Sequence, residues 1–191
     1  MQATEVPRRE LNRLRTWDAI HQTAARLVLA RGLAKVTIDE IAETANVSRR
    51  TFFNYFPTKE DAVLGTRPAQ LSTEDLAEFD ASVADPFGRI VRLMAAAIQS
   101  ALHDPSSFET RRALLREHPE LRARWDQHVR IAEQVVQDVL ADGESSRALV
   151  LVAGTVMRFA YTPAADGSIN RDPAALDAAI IRFREVLKEV L

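Results

Sequence analysis

The chain has 191 residues, is 47% apolar and 27% charged, contains no cysteine and carries a formal net charge of −2. That length and apolar content suit one or two small domains with a real core rather than a disordered chain. The missing cysteine excludes disulfides, thiolate chemistry and Cys-ligated zinc, and six widely separated glycines exclude phosphate-cradling and dinucleotide-binding loops.

Charge is unevenly spread. Residues 1–64 hold ten Lys/Arg against eight Asp/Glu, and residues 65–191 hold fifteen against nineteen. Arg8, Arg9, Arg13 and Arg15 cluster near the N-terminus, a footprint suited to a polyanion and equally to a solvated basic tail.

The first predicted helix covers residues 11–31. Trp17, Ile20, Ala24, Leu27 and Val28 form its inner stripe and Gly32 ends it. Thr37 is placed to cap a second helix, with Glu40 three residues on completing a capping box and Val36 stapling to Ile41. Ile38, Ile41, Ala42 and Ala45 give that helix one buried face. Asn46 tolerates the left-handed backbone of a sharp exit, so Asn46, Val47 and Ser48 predict a turn of about three residues.

Ser48 caps the next helix, in which Phe52 and Phe56 turn inward. Arg50 and Asn54 are left on the opposite side, with Arg49 and Phe53 on one flank and Thr51 and Tyr55 on the other. Guanidinium, hydroxyl and amide groups gathered in two turns suit phosphates and base edges. Pro57 stops this helix, and Thr58 caps one that starts at Lys59 and ends near Pro68.

An acidic connection follows, in which Ser72 or Thr73 can start a short helix. Helical patterns then cover residues 86–102, 108–117, 119–140, 146–161 and 173–191, with Pro86, Pro119 and Pro173 at tolerated N-terminal positions. Residues 162–172 are expected to form a loop. No run has strand character, so the fold class is all-α.

The helix over 146–161 is apolar nearly all round, and Leu176, Ile180, Phe183, Leu187 and Val190 form a stripe on the last helix. These surfaces fit either a symmetric four-helix bundle between two copies or an intramolecular core. Candidate ligand-lining residues are Phe87, Met94, Phe108, Trp125, His128 and Phe159, and Arg111, Arg112, Arg116, Arg122 and Arg124 form a cationic group that suits an anionic ligand or a solvated face. The histidines have no metal-ligand spacing and no serine stands in a nucleophile elbow, so neither a cofactor nor catalysis is expected. No segment has the length of a membrane span, and a cytoplasmic location without membrane partners is expected.

Over residues 14–64 the chain resembles the tetracycline-repressor (TetR) family of bacterial regulators. The matching positions are Ile20, Ala24, Leu27, Gly32, Thr37, Ile41, Ala42, Val47, Ser48, Thr51, Phe52, Tyr55, Phe56, Lys59 and Glu60. Phe53 departs from the family's usual tyrosine, and Asn46 from its usual glycine. The resemblance implies a DNA-binding domain over 1–67, with the helix-turn-helix at about 37–56, and a ligand-binding and dimerisation domain over 68–191. It puts Thr37 on a phosphate, Arg49, Arg50 and Thr51 at base edges beyond the Ser48 cap, and Tyr55 and Lys59 on the DNA backbone. It makes the helix from Lys59 a lever and the last two helices a dimer interface.

Asp85-Pro86-Phe87, residues 111–125 and the apolar helix after Ser146 resemble the acyl-CoA-sensing members. The function so implied is a homodimeric repressor, released from a palindromic double-stranded operator by a small apolar or acyl-CoA-like effector. A helical carrier or partner-binding protein without DNA binding, and a small all-α enzyme, are the alternatives.

Overall fold

The computed structural model describes residues 8–102, 108–140, 143–160 and 174–190. Its regular elements are helical. In chain order they are α1 (Arg8–Arg31), a 3-10 turn (Leu33–Lys35), α2 (Ile38–Thr44), α3 (Arg49–Tyr55), α4 (Lys59–Leu64), α5 (Thr73–Ala81), α6 (Pro86–Ser100), α7 (Phe108–Glu117), α8 (Pro119–Val139), α9 (Glu144–Ala160) and α10 (Ala174–Val190). Among the described residues there is no strand beyond one isolated bridge between Thr66 and Leu102. The expected loop over 162–172 lies outside the described residues.

Two compact units form. The first comprises Met1–Arg67 and Leu102–Asp126, the second Pro68–Ala101 and Gln127–Leu191. The sequence-based division has a single break after residue 67; in the structure α7 and the first turns of α8 also belong with the N-terminal helices. The reason is burial: Leu114 and Leu121 are fully enclosed in the same cluster as Trp17, Ile20, Ile41, Phe52 and Phe56.

In the first unit, α1 buries Trp17, Ile20, Ala24, Ala25 and Val28 along one face, the i, i+3, i+7 spacing of an amphipathic helix. α4 is only six residues long, so its backbone ends need external partners. Gly65, at φ 64°, lets Thr66 N–H reach Asp61 O at 3.1 Å and Gly65 N–H reach Ala62 O at 3.3 Å, a left-handed helix stop. His21 Nδ1 bonds Ala62 O at 2.8 Å, and the buried Arg111 donates Nε–H to Leu64 O at 2.8 Å.

In the second unit, Ser72 opens α5 with a reciprocal capping box to Asp75, and α6 inserts Ile90, Val91, Leu93, Met94 and Ala97 into the core. Ala153, Val156 and Met157 of α9 and Ala179 and Ile180 of α10 meet them. Asp85 caps α6 through Gly88 N–H at 2.9 Å and also accepts from Arg92 at 2.9 Å and from Arg184 of α10. Burial alone raises the Asp85 carboxyl; the Gly88 N–H and the two guanidinium groups outweigh it and hold it below its ordinary value.

Candidate nucleic-acid interface

Both helices of the motif are capped as the sequence predicts. Thr37 Oγ1 accepts Glu40 N–H at 3.2 Å, and Ser48 Oγ accepts Thr51 N–H at 3.0 Å. The Thr37 cap forms one of the two expected bonds of its box, and the Glu40 carboxylate instead pairs with Arg31 of α1 at 2.5 Å. Asn46 stands at φ 55°. With Val47 N–H on Ala42 O at 2.9 Å and Asn46 N–H on Glu43 O at 3.0 Å, the exit from α2 is a complete Schellman motif with asparagine in the glycine position.

Phe52 and Phe56 are fully buried, and Trp17 stacks at a tilt on Phe56 with centroids 5.1 Å apart. That anchorage turns Arg49, Arg50, Phe53 and Asn54 to solvent. Arg50 forms no ion pair among the described residues. Arg49 bonds Asp39 of α2 at 2.5 Å, and its guanidinium lies 5.5 Å from the Phe53 ring centroid. The Thr51 hydroxyl is within 2.8 Å of Ser48 Oγ, so both hydroxyls sit at the N-terminus of α3, where unpaired N–H groups favour anions.

Two proposed contacts have other partners in the fold. Tyr55 is half-buried against the N-terminal core, near enough to Arg13 to interact with its charge. The Lys59 ammonium donates to Leu33 O at 2.7 Å and Val36 O at 2.9 Å. It ties α4 to the turn preceding Thr37, leaving one of its three N–H bonds for a phosphate.

The family sequence model of bacterial regulatory proteins, tetR family, matches residues 20–64, which span this motif from the core of α1 to the end of α4. Related sequences extend the match: the HTH-type transcriptional regulator EthR of Mycolicibacterium smegmatis is 32% identical over 111 residues, 56% of this chain and 51% of its own length. Residues 20–64 thus form a domain of the tetR family of bacterial regulatory proteins.

EthR of Mycobacterium tuberculosis is 39% identical over 59 residues, 31% of this chain and 27% of its own. The HTH-type transcriptional regulator TcmR of Streptomyces glaucescens is 42% identical over 50 residues, 26% of this chain and 22% of its own. The chain thus spans at most about half the length of these curated relatives.

Outside the family's matched region, the candidate ligand residues that are described have unlike surroundings. Met94 is fully buried core, Phe87 is half-buried beneath the Arg184 guanidinium, and Phe159 is 54% exposed with its ring edge against Phe183. His128 is buried in the second unit, whereas Trp125 packs in the core of the first; the Phe108 side chain lies outside the described residues. The cationic group is likewise divided. Arg111 serves Leu64 O and Arg124 serves Asp61, Arg116 pairs with Glu117 at 3.6 Å, and Arg122 is exposed.

Sequence patterns missed the pairings of Asp39, Asp61, His21 and Arg111. Their partners lie 10 to 63 residues away, beyond any local spacing rule. Among the described residues no group of three or more acids and histidines could hold a metal, and no helix is long and apolar enough to cross a membrane.

Proposed function

We propose that this protein is a homodimeric transcriptional regulator that binds double-stranded operator DNA through α3 and represses until an effector releases it. The carrying observation is the outward presentation of Arg49, Arg50, Phe53 and Asn54 while Phe52 and Phe56 lock the same helix into the core. A seven-residue helix fixed at both ends, with guanidinium and amide groups at its exposed N-terminal turns, is dimensioned for the major groove. Thr37, Ser48, Thr51, Tyr55 and Lys59 complete the proposed contact set, with Lys59 acting mainly by holding α4 against the turn before Thr37. The match of residues 20–64 to the tetR family and the regulator names of the relatives support the same assignment.

Dimerisation through α9 and α10 is supported by Leu151, Phe159 and Ile181, which are 61%, 54% and 55% exposed. Aliphatic and aromatic side chains of that size left in water are favourably covered by a symmetry mate. The effector acts on the second unit. The effector class is a small apolar or acyl-CoA-like molecule, and Arg111 and Arg124, committed to Leu64 O and Asp61, are not its headgroup partners.

Gel shift on the DNA upstream of the protein's own coding region tests the operator reading: a discrete, salt-sensitive complex is expected, and binding no tighter than to unrelated duplex contradicts it. Acyl-CoAs of increasing chain length, titrated into that complex, test the effector class. Chain-length-dependent release is expected, and indifference to every length removes it.

A further inference from the structure

Asp39 stands against the arginine that the proposed function assigns to base reading. Arg49 Nη1 donates to Asp39 Oδ1 at 2.5 Å across two helices, with the side chains 59% and 68% exposed. An ion pair this open adds little to fold stability. Its geometric effect is larger: one guanidinium edge rests on Asp39 while the Phe53 ring lies 5.5 Å from its carbon. A planar group so held has a set orientation and keeps its Nε and Nη2 donors available.

Two parallel N–H donors from arginine to guanine O6 and N7 are the commonest base-specific contact. A flexible arginine loses rotamer freedom on making it, and one already oriented loses less. The neighbouring acid offers no competing partner, because Glu40 is engaged with Arg31 at 2.5 Å. Asp39 also sets a negative charge in the first turn of α2, on the side where Arg49 stands. That charge repels phosphates at every site alike, whereas its effect on Arg49 favours one base.

We infer that Asp39 is a specificity-determining positioning residue: it orients Arg49 for guanine and lowers affinity for all other duplex. This rests on the DNA-binding reading above.

The test is parallel selection from random duplex by the full-length protein, as wild type, Asp39→Ala, Arg49→Ala and the double variant, with circular dichroism to verify the fold. The wild type should favour one base pair that Arg49→Ala no longer distinguishes, a loss of roughly 5- to 150-fold in discrimination. Asp39→Ala should flatten preference at that same base pair, leave positions read by Arg50 sharp, and tighten binding to random DNA. The double variant should be no flatter there than Arg49→Ala alone. A sharp wild-type motif that survives Asp39→Ala unchanged overturns this inference and leaves the regulator intact. A wild-type protein that selects no sequence overturns both.

Discussion

Arg124 of α8 donates from Nε to Asp61 Oδ1 at 2.7 Å and from Nη2 to Asp61 Oδ2 at 2.6 Å, and Asp61 is 1% exposed. The same carboxylate accepts from Thr58 Oγ1 at 2.8 Å. This two-pronged contact makes a residue from the middle of the chain part of the N-terminal unit. Removing one partner of a buried pair leaves a charge without compensation. Arg124→Ala should therefore cost about 3–5 kcal/mol in chemical denaturation, whereas the exposed Arg122→Ala should stay within about 0.5 kcal/mol. Equal effects of the two substitutions would detach α8 from this unit.

Gly65 offers a second probe of α4. Its φ of 64° is left-handed, and an added Cβ would lie 2.6 Å from the His21 ring, itself bonded to Ala62 O. Gly65→Ala should lose about 1–2 kcal/mol from backbone strain alone, plus the cost of moving His21. Gly143, with nothing within 4 Å, is the control. Thermal melts in which Gly65→Ala matches Gly143→Ala would contradict the close approach.

The residues of α9 and α10 that suit a dimer seam are those that stand exposed, not the buried part of the stripe on the last helix. Ile180 is buried and Leu176 and Phe183 pack on their own subunit's core, while Ile181 and Leu151 face outward. Ile181→Glu or Leu151→Glu should give a folded monomer in analytical ultracentrifugation, because the charge enters the proposed apolar seam. Phe183→Glu should instead lower stability through the core. Dimers of unchanged affinity in both outward variants would place the interface elsewhere.

Asp85 predicts an acid response. Its folded carboxyl titrates below the ordinary value of 3.8, so it contributes stability fully above that value and loses it as pH falls through the folded pKa. Asp85→Asn should be less stable than wild type near neutrality, and the difference should shrink progressively below about pH 4. Urea midpoints collected from pH 7 to pH 2.5 check this; a constant or widening gap would deny Asp85 its stabilised carboxylate.

What was legible in the sequence follows the range of the interactions. The Thr37, Ser48 and Thr58 caps act over three residues, and Asn46 carries its own backbone preference, so all appear on inspection. The inward Phe52 and Phe56 follow from helical spacing. The α1 start at Arg8 instead of residue 11, and the α4 stop at Gly65 instead of near Pro68, differ because helix ends are set by weak local signals. Partners of Lys59, Arg111 and Arg124 lie 23 to 63 residues away, and only the assembled unit brings them together. For that reason arginines grouped in sequence divide in space between structural and exposed roles.

α3 is expected to read DNA through its exposed first turns, and Arg50 tests this most directly because it has no ion-pair partner among the described residues to complicate the substitution. Operator affinity of the full-length protein, measured by fluorescence anisotropy at fixed salt, should fall in Arg50→Ala by about 1–3 kcal/mol per half-site. Affinity for random duplex should fall much less, and specificity should relax at one base pair of each half-site. An Arg50→Ala protein that binds and discriminates its operator as the wild type does would contradict the assignment of α3 as the reading helix.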